Sequence, residues 1–197
     1  MLKLIPNILT IGRMVLTVIF LAMLLYYPAA KNKQSFLDIA FVLFIITAMT
    51  DFIDGPIARA LNVTSKFGRI LDPLADKVLI CGAFICLAVI GEPKLFGWSP
   101  VTLKIIHWST AGIIIAREIY VTILRHIAEA RGINFAATFS GKIKMFIQSV
   151  AIGVILVKIA HVPAATWGSC FTSTILIITL AVTIASGIRA TQRMFRV

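Results

Sequence analysis

Acidic side chains are scarce in this chain. Eight aspartates and glutamates stand among 197 residues, against 19 lysines and arginines, and charged residues make up only 14%. With 59% hydrophobic residues and a mean hydropathy of +0.98, so little charge excludes a soluble globular domain. Cysteine is nearly as sparse. Cys81, Cys86 and Cys170 lie in apolar surroundings without paired metal spacing, which excludes a thiolate metal site and leaves them as small packing residues. His107, His126 and His161 are scattered, so a histidine metal centre is not expected. There is no internal repeat and no low-complexity segment. No serine–histidine pair or activated cysteine suggests a covalent intermediate. The net charge of +11 raises nucleic acid as a partner, but the basic residues are dispersed between apolar runs and form no stripe. A membrane surface accounts for them, and no nucleic-acid partner is expected.

What the chain does have is long apolar runs. Six of them are drawn at about 8–27, 36–60, 72–91, 103–127, 142–161 and 171–192. The expected fold is an all-α integral membrane protein, with six transmembrane helices and Met1–Asn7 as a short interfacial segment. Residues 1–197 are expected to form a single membrane domain. The basic start and the apolar run ending near Pro28-Ala29-Ala30 also suit a signal peptide. The run is long, however, and Asn7, Thr10 and Arg13 at its start suit a ligand-facing helix end, so a retained span is expected. With the N-terminus inside, 14 of the 19 basic residues fall on the cytoplasmic side, leaving Lys31, Lys33, Lys94, Lys104 and Lys158 outside. That asymmetry places both termini and the acidic motif described next in the cytoplasm, for a multi-pass protein of the cytoplasmic (inner) membrane.

Four of the eight acids fall within one short stretch, Asp51, Asp54, Asp72 and Asp76. A carboxylate at membrane depth costs roughly 2.5–3.5 kcal/mol on insertion scales, so four together call for a compensating cation. An all-oxygen donor set suits a hard divalent ion. Asp51 and Asp54 are three apart, and Asp72 and Asp76 four apart, so on helices each pair shares a face. Gly55 and Gly68 remove side chains where backbone must come close to a helix or ligand. Asp72-Pro73 looks like a helix start, with Asp72 as N-cap. The simpler alternative pairs the acids with Arg59, Lys66, Arg69 and Lys77 at a helix turn. Four carboxylates in paired registers exceed what such a network needs.

Further along, Arg117 and Glu118 sit well inside an otherwise apolar run, and Lys142 and Lys144 follow Ser140-Gly141. Taken alone, the lysines read as snorkelling to the interface. Arg117 and Glu118 are adjacent and on a helix do not share a face, which argues against a purely local pair. Arginine is the natural bidentate partner of a phosphate. Arg117, Lys142, Lys144 and Arg189, on three different helices, are therefore candidates for an anionic-acceptor pocket.

The stretch D-x-x-D-G-x-x-A-R, eight residues, G, three, D, three, D is the signature of the CDP-alcohol phosphotransferases, and every fixed position matches. Pro56 stands where a bulky residue is expected, which touches helix shape and not a ligand. Pro6-Asn7-Ile-Leu-Thr10 with Arg13, Ala116-Arg117-Glu118 and Gly141-Lys142-Ile-Lys144 resemble the branch of that family that moves a phosphatidyl group from CDP-diacylglycerol to glycerol 3-phosphate. The resemblance covers nearly the whole chain. It implies two Mg²⁺ or Mn²⁺ ions held by Asp51, Asp54, Asp72 and Asp76, with Asp76 also the general base. It further implies that Asn7, Thr10, Gly55, Arg59, Thr64, Ser65 and Gly68 contact CDP-diacylglycerol. Arg13, Arg117, Lys142, Lys144 and Arg189 would hold the acceptor phosphate. The expected reaction is direct transfer to the acceptor hydroxyl with release of CMP, by a homodimer among membrane lipids. Two alternatives remain: another acceptor (inositol phosphate, serine or phosphatidylglycerol), or a small cation transporter, for which the confinement of the acids to one end is unfavourable.

Overall fold

The computed structural model describes the backbone of residues 5–60, 66–132 and 139–195, and the side chains of 10–50, 74–132 and 141–194. Six helices account for nearly all of it: α1 (Ile5–Tyr26), α2 (Lys33–Ala60), α3 (Lys66–Ile90), α4 (Pro100–Ala130), α5 (Phe139–His161) and α6 (Thr166–Phe195). No strand occurs among the described residues. Each expected span has its helix, and most helices overrun the apolar runs at their ends. At about 1.5 Å per residue, even the shortest, the 22 residues of α1, is long enough for a hydrocarbon core of about 30 Å. Among the described residues α1, α2, α5 and α6 are both long and apolar enough to cross a membrane.

Local chemistry sets several ends. Ser99 caps α4 by accepting a hydrogen bond from the Thr102 N–H, with Pro100 in the first turn where its missing donor costs nothing. The same helix stops at Arg131, and Gly132 follows with a φ of 71°, the left-handed geometry that closes helix C-termini.

Two expectations are corrected here. α3 begins at Lys66, so Asp72-Pro73 lies inside a helix and does not start one. The missing Pro73 N–H removes one backbone bond, a loss that buried helices absorb through neighbours. Likewise α1 is already helical at Ile5, so the last residues of the expected lead-in belong to the helix. α2 also runs unbroken through Pro56 to Ala60.

The helices pack in a closed ring that departs from chain order: α1 against α2, α2 against α5, α5 against α6, α6 against α4, α4 against α3, and α3 back against α1. Inside it Phe20, Leu24, Leu37, Phe44, Ala83 and Ile114 are fully or almost fully buried together with Ile152, Ile155 and Leu156. Phe20 and Phe44 meet with ring centroids 5.3 Å apart, joining α1 to α2. At one end of the bundle, Lys158 of α5 is buried and donates to the carbonyls of Lys94 and Pro163, tying two loops to the helix. At the same end His161 Nε2 lies 2.7 Å from Asp38 Oδ1, linking α5 to α2.

Candidate active site

The ring brings α1 and α3 together at the acidic motif. Arg13 is only 2% exposed, and its NH1 donates to Asp76 Oδ1 at 3.1 Å. Thr10, one turn earlier on α1, is buried on the same side of the helix. A buried guanidinium is sustained only by an anionic partner, and Asp76 supplies one. The structure therefore sets Arg13, expected at the acceptor phosphate, directly against the expected base.

Asp51, Asp54, Gly55 and Arg59 lie in the last three turns of α2, and Gly68 and Asp72 in the first two turns of α3. Their side chains, and Asn7, Thr64 and Ser65, fall outside the described side chains. Among the described residues there is accordingly no group of three or more metal-ligating side chains. The donor set that the backbone brings to the end of α2 and the start of α3 is all carboxylate oxygen, the type that Mg²⁺ and Mn²⁺ favour over softer metals.

A second charged cluster joins α4 to α5. Lys144 Nζ and Arg117 NH1 both donate to Glu118 Oε1, the latter at 3.0 Å. Lys144 is 4% exposed at its side chain, and Arg117 and Glu118 are each 13% exposed. Lys144 thus does not snorkel. The Arg117–Glu118 contact forms even though neighbours on a helix point about 100° apart. The Arg117 stem also reaches α6, where a Cβ on Gly187 would lie 3.5 Å from its Cγ. Arg117 Nε is buried without an acceptor. One carboxylate therefore faces two buried cations, a local excess of positive charge. Lys142 and Arg189 are exposed and make no contact with this cluster.

Next to it, Lys77 donates to Thr122 Oγ1 at 2.7 Å, and Thr122 donates to the Glu118 carbonyl at 2.6 Å. Lys77 thus bonds to α4. Glu118 is the residue whose importance sequence reading missed: it is the hub on which α4 holds α5. Its signals in the sequence are that it is an acid deep within an apolar run and that it belongs to the Ala116-Arg117-Glu118 motif.

Residues 3–185 match the family model for CDP-alcohol phosphatidyltransferase. The chain belongs to that family. A probable phosphatidylglycerophosphate synthase of Mycobacterium tuberculosis (strain ATCC 25618 / H37Rv) is 34% identical over 80% of this chain and 69% of its own length. The CDP-diacylglycerol–glycerol-3-phosphate 3-phosphatidyltransferase of Bacillus subtilis (strain 168) is 35% identical over 77% of this chain and 75% of the relative. That of Escherichia coli (strain K12) is 34% identical over 77% and 76%. As a CDP-alcohol phosphatidyltransferase the chain is an enzyme, which sets the transporter reading aside. The acids of the aspartate signature lie in the order two near the end of α2 and two in the first half of α3.

Proposed function

We infer that this CDP-alcohol phosphatidyltransferase moves the phosphatidyl group of CDP-diacylglycerol to the hydroxyl of sn-glycerol 3-phosphate, giving phosphatidylglycerophosphate and CMP. The reading is carried by the complete aspartate signature in a chain that aligns over about three quarters of its length with relatives named for that reaction. Asp51, Asp54, Asp72 and Asp76 would hold two Mg²⁺ or Mn²⁺ ions, which would supply positive charge for the diphosphate and the departing CMP.

The chain's own groups do the rest. Asn7, Thr10, Gly55, Arg59, Thr64, Ser65 and Gly68 bind the CDP moiety, with Arg59 against a phosphate oxygen. Asp76 takes the proton of the acceptor hydroxyl, whose oxygen attacks the phosphorus bearing the diacylglycerol. Arg13, fixed beside Asp76, sits at the acceptor end of the site. Arg117 and Lys144 hold the acceptor phosphate, and their excess charge over Glu118 favours a dianion there. Lys142 and Arg189, exposed on α5 and α6 and outside that cluster, are candidates to attract the acceptor phosphate from solution.

All six helices cross the inner membrane with both termini in the cytoplasm, and the protein works as a homodimer. The lipid tails stay in the bilayer while the headgroup reaches the cavity, which is why the site lies at the membrane boundary. A panel of acceptors offered to purified protein with CDP-diacylglycerol tests the assignment. Glycerol 3-phosphate should release CMP far faster than serine, inositol phosphate or phosphatidylglycerol. Faster turnover with any of those three reassigns the acceptor.

A further inference from the structure

Lys144 and Arg117 meet at Glu118 although α5 and α4 are not neighbours in the ring: α6 stands between them and packs against both. Their convergence therefore depends on how α6 holds the two helices. Two residues of α6 make that connection. Thr183 Oγ1 accepts a hydrogen bond of 3.1 Å from Gln148 Nε2 on α5. One turn later, Gly187 leaves room for the stem of Arg117 on α4, whose Cγ would lie 3.5 Å from an added Cβ. Thr183 and Gly187 are four residues apart, so they share a face of α6. Gln148 is likewise four residues from Lys144, and both are buried on one face of α5.

The Gln148 amide is only half satisfied. Its Oε1 is buried without a donor, and an unpaired buried oxygen lowers stability. Methionine would fill the same space without that cost, so packing alone does not select glutamine here. What the amide adds is a directed bond to α6.

We propose that Gln148 is a positioning residue: through Thr183 it sets the rotation and height of α5 on α6, and so aims Lys144 at the acceptor phosphate beside Arg117. It acts through Lys144, from which it stands one turn, about 6 Å, along the helix. The proposal rests on the reading of Arg117 and Lys144 as the acceptor pocket, and Arg117→Ala, which acts on that pocket directly, is the reference for its test.

The experiment is steady-state kinetics of the purified full-length protein, with glycerol 3-phosphate and CDP-diacylglycerol varied in turn. Gln148→Met keeps the length of the side chain but not its bond. It should raise the KM for glycerol 3-phosphate about five-fold, the worth of one neutral hydrogen bond, and leave kcat and the KM for CDP-diacylglycerol at wild-type values. Thr183→Val breaks the same bond from the other side and should do the same, which keeps the test decisive if Gln148→Met fails to fold. The double variant should be no worse than either single one, because both remove one bond. If Arg117→Ala raises the acceptor KM and neither single variant does, or if their effects add, the positioning role is overturned while the pocket stands. Equal loss towards both substrates marks a residue of the general fold and also overturns it. If none of the three variants moves the acceptor KM, the pocket itself is misplaced and the proposal falls with it.

Discussion

Asp76 is the residue on which the two halves of the chemistry meet. It carries a carboxylate in the aspartate signature and at the same time anchors a buried arginine from another helix. Asp76→Asn keeps the shape and a hydrogen-bond acceptor for Arg13 but removes the basic oxygen. Turnover should fall by at least about a hundred-fold, the lower range for general-base loss, while CDP-diacylglycerol still binds in an equilibrium assay. Near-normal turnover would remove Asp76 from the role of base.

Arg117→Ala should act on the acceptor. Loss of a charge-assisted bond worth about 1.5–3 kcal/mol raises the KM for glycerol 3-phosphate by roughly ten- to a hundred-fold. An unchanged acceptor KM excludes Arg117 from the pocket. Glu118→Gln separates structure from binding, because it leaves Lys144 and Arg117 buried without their anion. Breaking one side of such a buried network costs about 3–5 kcal/mol. The variant should therefore melt well below the wild type in a detergent thermal-shift assay, and an unaltered midpoint would show that Glu118 holds nothing.

At the scale of elements, what positions the site is the packing of α1 on α2 and α3. Phe20 is fully buried and stacks on Phe44 of α2. Phe20→Ala opens a cavity at that crossing and should cost about 3–5 kcal/mol. Ser99→Ala, by contrast, removes only a helix cap and should cost about 1 kcal/mol. Comparable losses from the two, measured by thermal shift, would mean that the α1–α2 crossing is not where the bundle is held. The elements themselves were legible beforehand: an apolar run in water-poor surroundings must satisfy its own backbone, and only a helix does so within one segment. Their ends were less so. The start of α3 is hard to read because Asp-Pro is a strong local helix-start signal, whereas the helix extends upstream through residues whose polarity suggests a loop.

For the molecule as a whole, the proposed orientation rests on the distribution of 19 basic residues. In a background lacking the native cysteines, Lys94→Cys should react with an impermeant maleimide in intact cells, and Arg131→Cys only after permeabilisation. The reverse pattern would invert the site to the outer face.

The aspartate signature, the membrane class and the number of helices are properties of the sequence alone. Each depends on local spacing or on the cost of placing a residue type in hydrocarbon, and neither needs knowledge of neighbours. Which helices touch is another matter. The ring order, the meeting of Arg13 with Asp76 and the convergence of Lys144 on Glu118 depend on side chains separated by 63 and 26 residues along the chain. In a bilayer every apolar face is equally content against lipid, so hydrophobic pattern cannot choose partners. Shape and the pairing of a few buried charges make that choice, and both exist only once the helices have packed.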